Sequence, residues 1–257
     1  MGTFLFNEII FGPVKSRRLG ISLGINLLPT DYKFCTFNCV YCECGWTLKA
    51  DKKINLPTQE EVKTELERVL KEHVKNNKEI NSITFAGNGE PTIHPKFSEV
   101  IDDTIELRNK WMPDAKISVL SNASQLKKPQ ITNALKKIDR NILKLDAGTE
   151  ETYRKINQSQ KHIKFEKIVD YLKSFDGDII IQTLFLRGKH EGQYFDNTTE
   201  QEVSRWLKLL QEIKPQSVML YPIERDTPID NIEKIDKEKL SQIAKRVEEL
   251  GISTEVY

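Results

Sequence analysis

Short apolar runs alternate with segments of helical periodicity along this chain, and that alternation constrains the fold more than any other feature. Ile21–Leu28, Ser82–Ala86, Lys116–Leu120, Asn141–Leu145, Asp178–Leu186 and Ser217–Leu220 have the length and apolar content of strands. Between them the apolar spacing changes to three and four. Val62, Leu66, Val69, Leu70 and Val74 stripe a first helix behind the capping box Thr58-Gln59-Glu60-Glu61. Phe97, Val100, Ile101 and Ile105 stripe a second, and Ile131, Ala134, Leu135 and Ile138 a third opened by Pro129. Helical pieces follow at 149–156 and 165–175. Thr199 and Glu202 cap a helix carrying Val203, Trp206, Leu207 and Leu210. A last helix holds Leu240, Ile243, Val247 and Leu250 and stops at Gly251, and Ser253–Tyr257 reads as a short terminal strand.

Repeated strand–helix units with right-handed crossovers make a parallel sheet covered by helices. Six units fall short of the eight of a closed barrel. The expected fold class is therefore α/β, a partial (β/α)6 TIM-like barrel of parallel strands with an open side. An open doubly wound sheet is the alternative. The 257 residues suit a single domain, 1–257, with short terminal extensions at 1–10 and 229–257.

All four cysteines lie within ten residues, at Cys35, Cys39, Cys42 and Cys44. A disulfide framework would spread its cysteines along a small secreted chain, so this cluster points to metal or redox chemistry. Structural zinc draws its ligands from two separated pairs. No second pair exists here, and His73, His94, His162 and His190 are scattered. With Cys44 as fourth ligand the loop would make a closed, non-catalytic zinc or iron–sulfur module. Cys35-x3-Cys39-x2-Cys42 alone reads as a 4Fe–4S cluster with three protein ligands, where four is usual. Three leave one iron open to a substrate or cofactor, which argues for catalysis.

In parallel β/α folds the site gathers at the carboxyl ends of the strands. Those ends carry, in order, the cysteine loop, Gly87-Asn88-Gly89-Glu90-Pro91, Ser121-Asn122, Lys144 with Asp146, Gln182-Thr183, and Tyr221-Pro222 with Glu224 and Arg225 beyond. Each has a plainer reading. The glycine segment suits a turn, Ser121 and Asn122 suit a cap, and Lys144 and Asp146, on one strand face with Ile142, suit an ion pair. Gln182, mid-strand, needs hydrogen-bond partners wherever it is buried.

With 39 basic and 38 acidic side chains the net charge is +1, so no global basic field announces nucleic acid. Local basic groups remain at Lys15, Arg17 and Arg18 and at Lys127 and Lys128; they suit a solvated surface, or, for the two arginines, a clamp on an anionic substrate. No apolar run approaches the ~18–20 residues of a membrane span. The N-terminus lacks the basic start of a secretory signal, and Phe6 stands where a myristoylation signal wants Ser or Thr. A cytoplasmic protein without a membrane partner is expected.

The cysteine spacing, with Tyr41 just before the third cysteine, resembles that of the radical S-adenosylmethionine (radical SAM) enzymes, and Gly87–Pro91 is similar to their Gly-Gly-Glu motif, with Asn88 where the motif has a glycine. Together with the stretch Gly12–Gly24 these motifs look most like the proteins related to tRNA wyosine synthesis. The resemblance implies that Cys35, Cys39 and Cys42 hold a 4Fe–4S cluster and that S-adenosylmethionine chelates the open iron. It implies that the Gly87–Pro91 turn, Asn88 and Pro91 included, holds the methionine end, chiefly through the backbone at Gly87, Gly89 and Glu90. Tyr41 would lie by the adenine, and Ser121, Asn122, Asp146 and Gln182 by the ribose and methionine. A flavodoxin- or ferredoxin-like donor would supply one electron, and the resulting 5′-deoxyadenosyl radical would abstract hydrogen from a substrate, with RNA and peptide both candidates. The four cysteines leave no second group for the auxiliary cluster expected of wyosine synthesis itself.

Overall fold

A computed structural model describes residues 4–47, 54–160 and 163–257. The chain opens with a hairpin, β1 (Ile10–Ser16) and β2 (Gly20–Ile25), antiparallel with Ile10 opposite Ile25. The β/α units follow: α1 (Gln59–Lys75), β3 (Ser82–Phe85), α2 (Phe97–Trp111), β4 (Lys116–Ser121), α3 (Pro129–Leu135), β5 (Arg140–Lys144), α4 (Glu150–Asn157), α5 (Phe165–Lys173) and β6 (Ile180–Leu184). A small antiparallel excursion, β7 (Leu186–His190) and β8 (Gln193–Asp196), precedes α6 (Glu200–Ile213) and β9 (Ser217–Tyr221). The chain closes with β10 (Ile232–Lys234), α7 (Lys237–Glu248) and β11 (Ser253–Val256).

The main sheet has eight strands in the order β1-β2-β3-β4-β5-β6-β9-β11, parallel from β2 onward, and it curls into a partial barrel. The six expected parallel strands are all present. The segment 229–257, expected as an extension, supplies β10, α7 and the edge strand β11. Side chains alternate between two apolar layers. Ile117, Val119, Leu143, Ile181, Val218 and Leu220 join the main core with the helices, whereas Ile142, Ile180 and Met219 pack separately with Leu19 of the hairpin turn. Leu120 and Tyr257 lean on this second cluster, which plugs the concave side of the sheet.

Most strand limits shift by one or two residues from those read in the sequence, and two larger differences are each set by an asparagine. The first strand stops at Ile25 rather than Leu28, since Asn26 Oδ1 accepts from the backbone N–H of Leu28 (3.2 Å) and of Asn88 (3.2 Å). The run Asp178–Leu186 divides at Phe185: Asn197 Oδ1 accepts from Leu186 N–H (2.8 Å) while its Nδ2 donates to the carbonyls of Leu184 and Asp146 (2.8 Å each). These bonds satisfy the backbone where the chain leaves the sheet. β7 then pairs with β8 and β10 in a second sheet.

Phe85, at the end of β3, is fully buried and meets Phe97 of α2 edge-on, ring centroids 5.9 Å apart. Phe85→Ala is expected to cost about 3–5 kcal/mol in denaturant unfolding, because the rigid sheet cannot collapse into the space.

Candidate functional site

A cavity of about 450 Å³ opens at the carboxyl ends of the strands and runs down the concave face of the sheet. Cys35, Cys39, Cys42 and Cys44 line one wall, Gly87, Gly89 and Glu90 the next, and Lys144, Gln182 and Tyr221 the far side. The volume suits a small-molecule cofactor.

The cysteine loop is held at two points. On one side Phe34 N–H donates to Asn88 O (2.8 Å) and Glu90 N–H donates to Phe34 O (3.2 Å), so the glycine turn pairs with the loop one residue before Cys35. Gly89 makes this approach possible. Its φ is +143°, and a Cβ there would lie 1.9 Å from Phe34 O. On the other side Asn38 and Val40 N–H donate to the carbonyls of Gln158 (3.1 Å) and Ile156 (2.9 Å) at the end of α4. Cys39 is buried between these anchors.

Donors and a cation surround the sulfurs. Cys35 Sγ accepts from Phe37 N–H (3.4 Å) and Asn122 Nδ2 (3.5 Å), and Cys39 Sγ accepts from Asn157 Nδ2 (3.5 Å). Lys33, 2% exposed, donates to Gly45 O (2.9 Å) and faces Cys35, Cys39 and Cys42. Burial alone would lower the Lys33 pKa, but its interactions with Cys42, Cys35 and Cys39 together outweigh it and raise the pKa above its ordinary value. Burial pushes the Cys35 thiol up to about 12. The Cys44 hydrogen bond, with Lys33, pulls Cys42 down to about 5. Cys44 moves the opposite way, raised first by its hydrogen bond to Cys42 and then by burial, and its Sγ lies 3.6 Å from Gly87 O.

This donor set fits an iron–sulfur cluster. Soft thiolates stand beside N–H donors and a buried ammonium, which offset the charge that such a cluster carries. Among the described residues no three His, Cys, Asp or Glu side chains converge on one metal ion. A closed zinc site would need that convergence, whereas a cubane binds each thiolate through a separate iron.

The structure sorts the other expected residues. Glu90 is buried and saturated: its carboxylate accepts from Ser121 Oγ (2.8 Å), Asn122 N–H (2.6 Å), Thr92 N–H (3.1 Å) and Thr92 Oγ1 (2.5 Å). Burial raises its pKa against the pull of those donors. Ser121 and Asn122 line the cavity but are bound internally, Asn122 Nδ2 also donating to Thr36 Oγ1 (3.0 Å). They cap a turn, Asn122 Oδ1 accepting from Ser124 N–H (3.0 Å), and α3 begins later.

Asn88, Pro91 and Asp146, expected at the cofactor, do not line the cavity. Asn88 Nδ2 donates to Phe6 O and Pro29 O (2.8 Å each), which fastens the N-terminal segment under the turn. Pro91 opens a short 3₁₀ turn. Asp146 stands behind the wall, accepting from Tyr41 Oη, Asn157 Nδ2 (2.9 Å) and Leu184 N–H (3.0 Å), and pairing with Lys144 (3.2 Å). Burial lowers the Lys144 pKa, but the Asp146 charge, together with Tyr221, Cys39 and the hydrogen bond to Asp146, more than offsets it and holds the ammonium above its ordinary range. Burial raises Tyr41. The far wall is therefore a fixed Lys144–Tyr41–Asp146 network. Lys33 and Asn157 have no sequence signal as site residues beyond, for Lys33, its place two residues before Cys35.

A family model described as the radical SAM superfamily matches residues 30–198. A protein of Brachyspira hyodysenteriae described as GTPase Obg is 32% identical over 251 residues; the match covers 96% of this chain but 34% of that protein, so the chain spans about a third of its length. UPF0026 protein slr1464 of Synechocystis is 30% identical over 93% of this chain and 91% of its own. Among solved structures, a radical SAM methyltransferase from Sphaerobacter thermophilus superposes with a TM-score of 0.68 at 13% identity, covering 92% of this chain and 65% of the other. TYW1 with a lysine-pyruvate adduct bound gives 0.62 at 18%, covering 89% and 73%. These two likenesses concern the fold. No helix among the described residues is long and apolar enough to cross a membrane.

Proposed function

The chain belongs to the radical SAM superfamily, whose enzymes use a 4Fe–4S cluster and S-adenosylmethionine, and from that premise we propose that Cys35, Cys39 and Cys42 hold the cluster in this cavity. In this reading the Gly87–Glu90 backbone and the wall formed by Tyr41, Ser121, Asn122 and Gln182 hold S-adenosylmethionine. When bound, the pair supplies reductive cleavage to methionine and a 5′-deoxyadenosyl radical that takes hydrogen from the substrate.

The chain's own residues prepare this chemistry. Lys33 and the amides of Asn122 and Asn157 offset negative charge on the thiolates. Glu90 braces the glycine turn against β4, keeping its backbone groups fixed for the amino acid end of the cofactor. The Lys144–Tyr41–Asp146 network stiffens the wall behind. Electrons come from a flavodoxin- or ferredoxin-like donor, and the enzyme works in the cytoplasm, where thiols stay reduced. RNA and peptide are both candidate substrates; steeply salt-dependent binding of tRNA would mark the former.

The observation carrying this reading is that three thiols and the glycine turn line adjoining walls of one cavity. Anaerobic reconstitution is expected to give about four irons and as many sulfides per chain, and reduction with S-adenosylmethionine should yield 5′-deoxyadenosine. One zinc, no sulfide and no cleavage would instead establish a closed module. Cys44→Ala separates the two readings within the loop: iron content close to wild type is expected, because the proposed ligands are Cys35, Cys39 and Cys42, and the single S–H of Cys44 is shared between Cys42 and Gly87 O. Loss of the metal in that variant contradicts the assignment.

A further inference from the structure

We propose that Arg18 anchors an anionic group of the substrate, a carboxylate or a phosphate, on the floor of the barrel cavity. The proposal rests on reading the cavity as the active site and names the class of molecule that enters it.

The β1–β2 turn sets the geometry. Leu19 enters the apolar plug with Ile142, Ile180 and Met219 and closes the concave face from below. Arg18, the residue before it, lines the cavity above that plug. Its guanidinium carbon sits 4.6 Å from the centroid of the Tyr221 ring, and Nη1 donates to Gln182 Oε1 (3.1 Å), which also accepts from Tyr221 Oη (3.4 Å). The stacking and the hydrogen bond fix the plane of the guanidinium. Of its five N–H bonds, one group, Nη1, finds a side-chain acceptor among the described residues.

Arg18 differs in its charge partners from the other cations at the cavity. Lys144 pairs with Asp146 (3.2 Å), Arg17 with Glu224 (3.3 Å), and Arg225 with Glu43 (2.8 Å). Lys33 faces the thiols. Lys15 has no carboxylate partner among the described residues but is exposed to water. Arg18 is half-buried and has no carboxylate partner among the described residues. A guanidinium drawn out of water without a counter-charge is unfavourable, and its planar fork matches carboxylate and phosphate oxygens two at a time. A polyanion suits the site poorly, since Glu43 and Glu224 stand on the rim beside the basic residues. The floor fits one anion on a molecule small enough, or a side chain slender enough, to enter the barrel.

The test uses the anaerobic holoprotein with S-adenosylmethionine bound, so that the cofactor's own carboxylate is already accommodated. Isothermal titration with inorganic phosphate and with acetate supplies the two probes. The wild type is expected to bind at least one of them. Arg18→Gln should weaken that binding about tenfold or more, as loss of a charged hydrogen-bonded pair does. Arg18→Lys, which keeps the charge and tests the fork even if the glutamine variant folds poorly, should also weaken it. Arg17→Gln, at an exposed and paired position, should stay within about twofold. Preference for phosphate assigns a phosphorylated substrate, and preference for acetate a carboxylate. Unchanged affinity in both Arg18 variants, no binding of either probe by the wild type, or binding of tRNA alone overturns the proposal. Anion binding without 5′-deoxyadenosine formation would sink the functional reading and leave this site standing; cleavage without anion binding would do the reverse.

Discussion

Cys39→Ala protein is expected to purify colourless, to hold little iron or sulfide after reconstitution, and to cleave S-adenosylmethionine at below about 1% of the wild-type rate. Changes around a metal site cost roughly 10–100-fold in affinity or activity without touching a ligand, and this one removes a ligand outright. Cys39 is the most informative of the three because it is the buried one, held between Asn157 and the loop anchors on α4. The variant should nevertheless fold. The loop keeps its backbone bonds to Ile156, Gln158 and Asn88, and the sheet does not depend on the sulfur. Far-ultraviolet circular dichroism close to wild type, with iron lost, is the expected pair of results. Full iron and activity in Cys39→Ala would remove the cysteine assignment altogether.

Gly89→Ala is expected to be damaging for a different reason. The residue has φ +143°, a region side chains avoid at a cost of about 1–3 kcal/mol. The added Cβ would also overlap Phe34 O at 1.9 Å and Phe34 C at 2.6 Å, both backbone atoms. The chain can relieve this only by separating the glycine turn from the loop, and the loop begins its cysteines at the next residue. A stability loss of about 3 kcal/mol or more is expected, together with poor cluster incorporation and weakened S-adenosylmethionine binding. Gly251 provides the control. It too has a positive φ (+79°), but nothing lies within 4 Å of a Cβ there. Gly251→Ala should cost about 1 kcal/mol, the strain alone, and leave cluster content intact. Equal behaviour of the two variants in thermal unfolding and iron analysis would show that the contact with Phe34 has no role.

Much of the fold was readable in the sequence because the signals are periodic. The strand runs and the three-four spacing of the helices reflect burial, and burial dictates the sheet and its outer layer. The parts that escaped lack a period. β1 is mostly exposed and is broken by Gly12-Pro13, so its pairing with β2 leaves no alternation to read. The division of the Asp178–Leu186 run is set by Asn197, whose effect depends on a contact across the fold.

The same distinction governs the site. The cysteine spacing is local and was legible, as was the gathering of polar residues at the strand ends. Lys33, Asn157 and Asn26 act through partners brought to them by folding, and a lone polar residue gives no hint of that. Asn88 shows the converse. Its place inside the glycine motif suggested a cofactor contact, but its amide is spent on Phe6 and Pro29. Asp146, expected on the strand face with Lys144, lies two residues past the end of β5 and works one step back, through Lys144 and Tyr41.

The central claim is that three thiolates of this loop hold a cluster with one iron left open to S-adenosylmethionine. Electron–nuclear double resonance on the reduced protein, with S-adenosylmethionine carrying nitrogen-15 in its amino group and oxygen-17 in its carboxylate, tests it most directly. Hyperfine coupling of both labels to the cluster is the expected result. A cluster that shows neither coupling, and whose fourth iron is held by Cys44 or another side chain of the protein, would contradict the account.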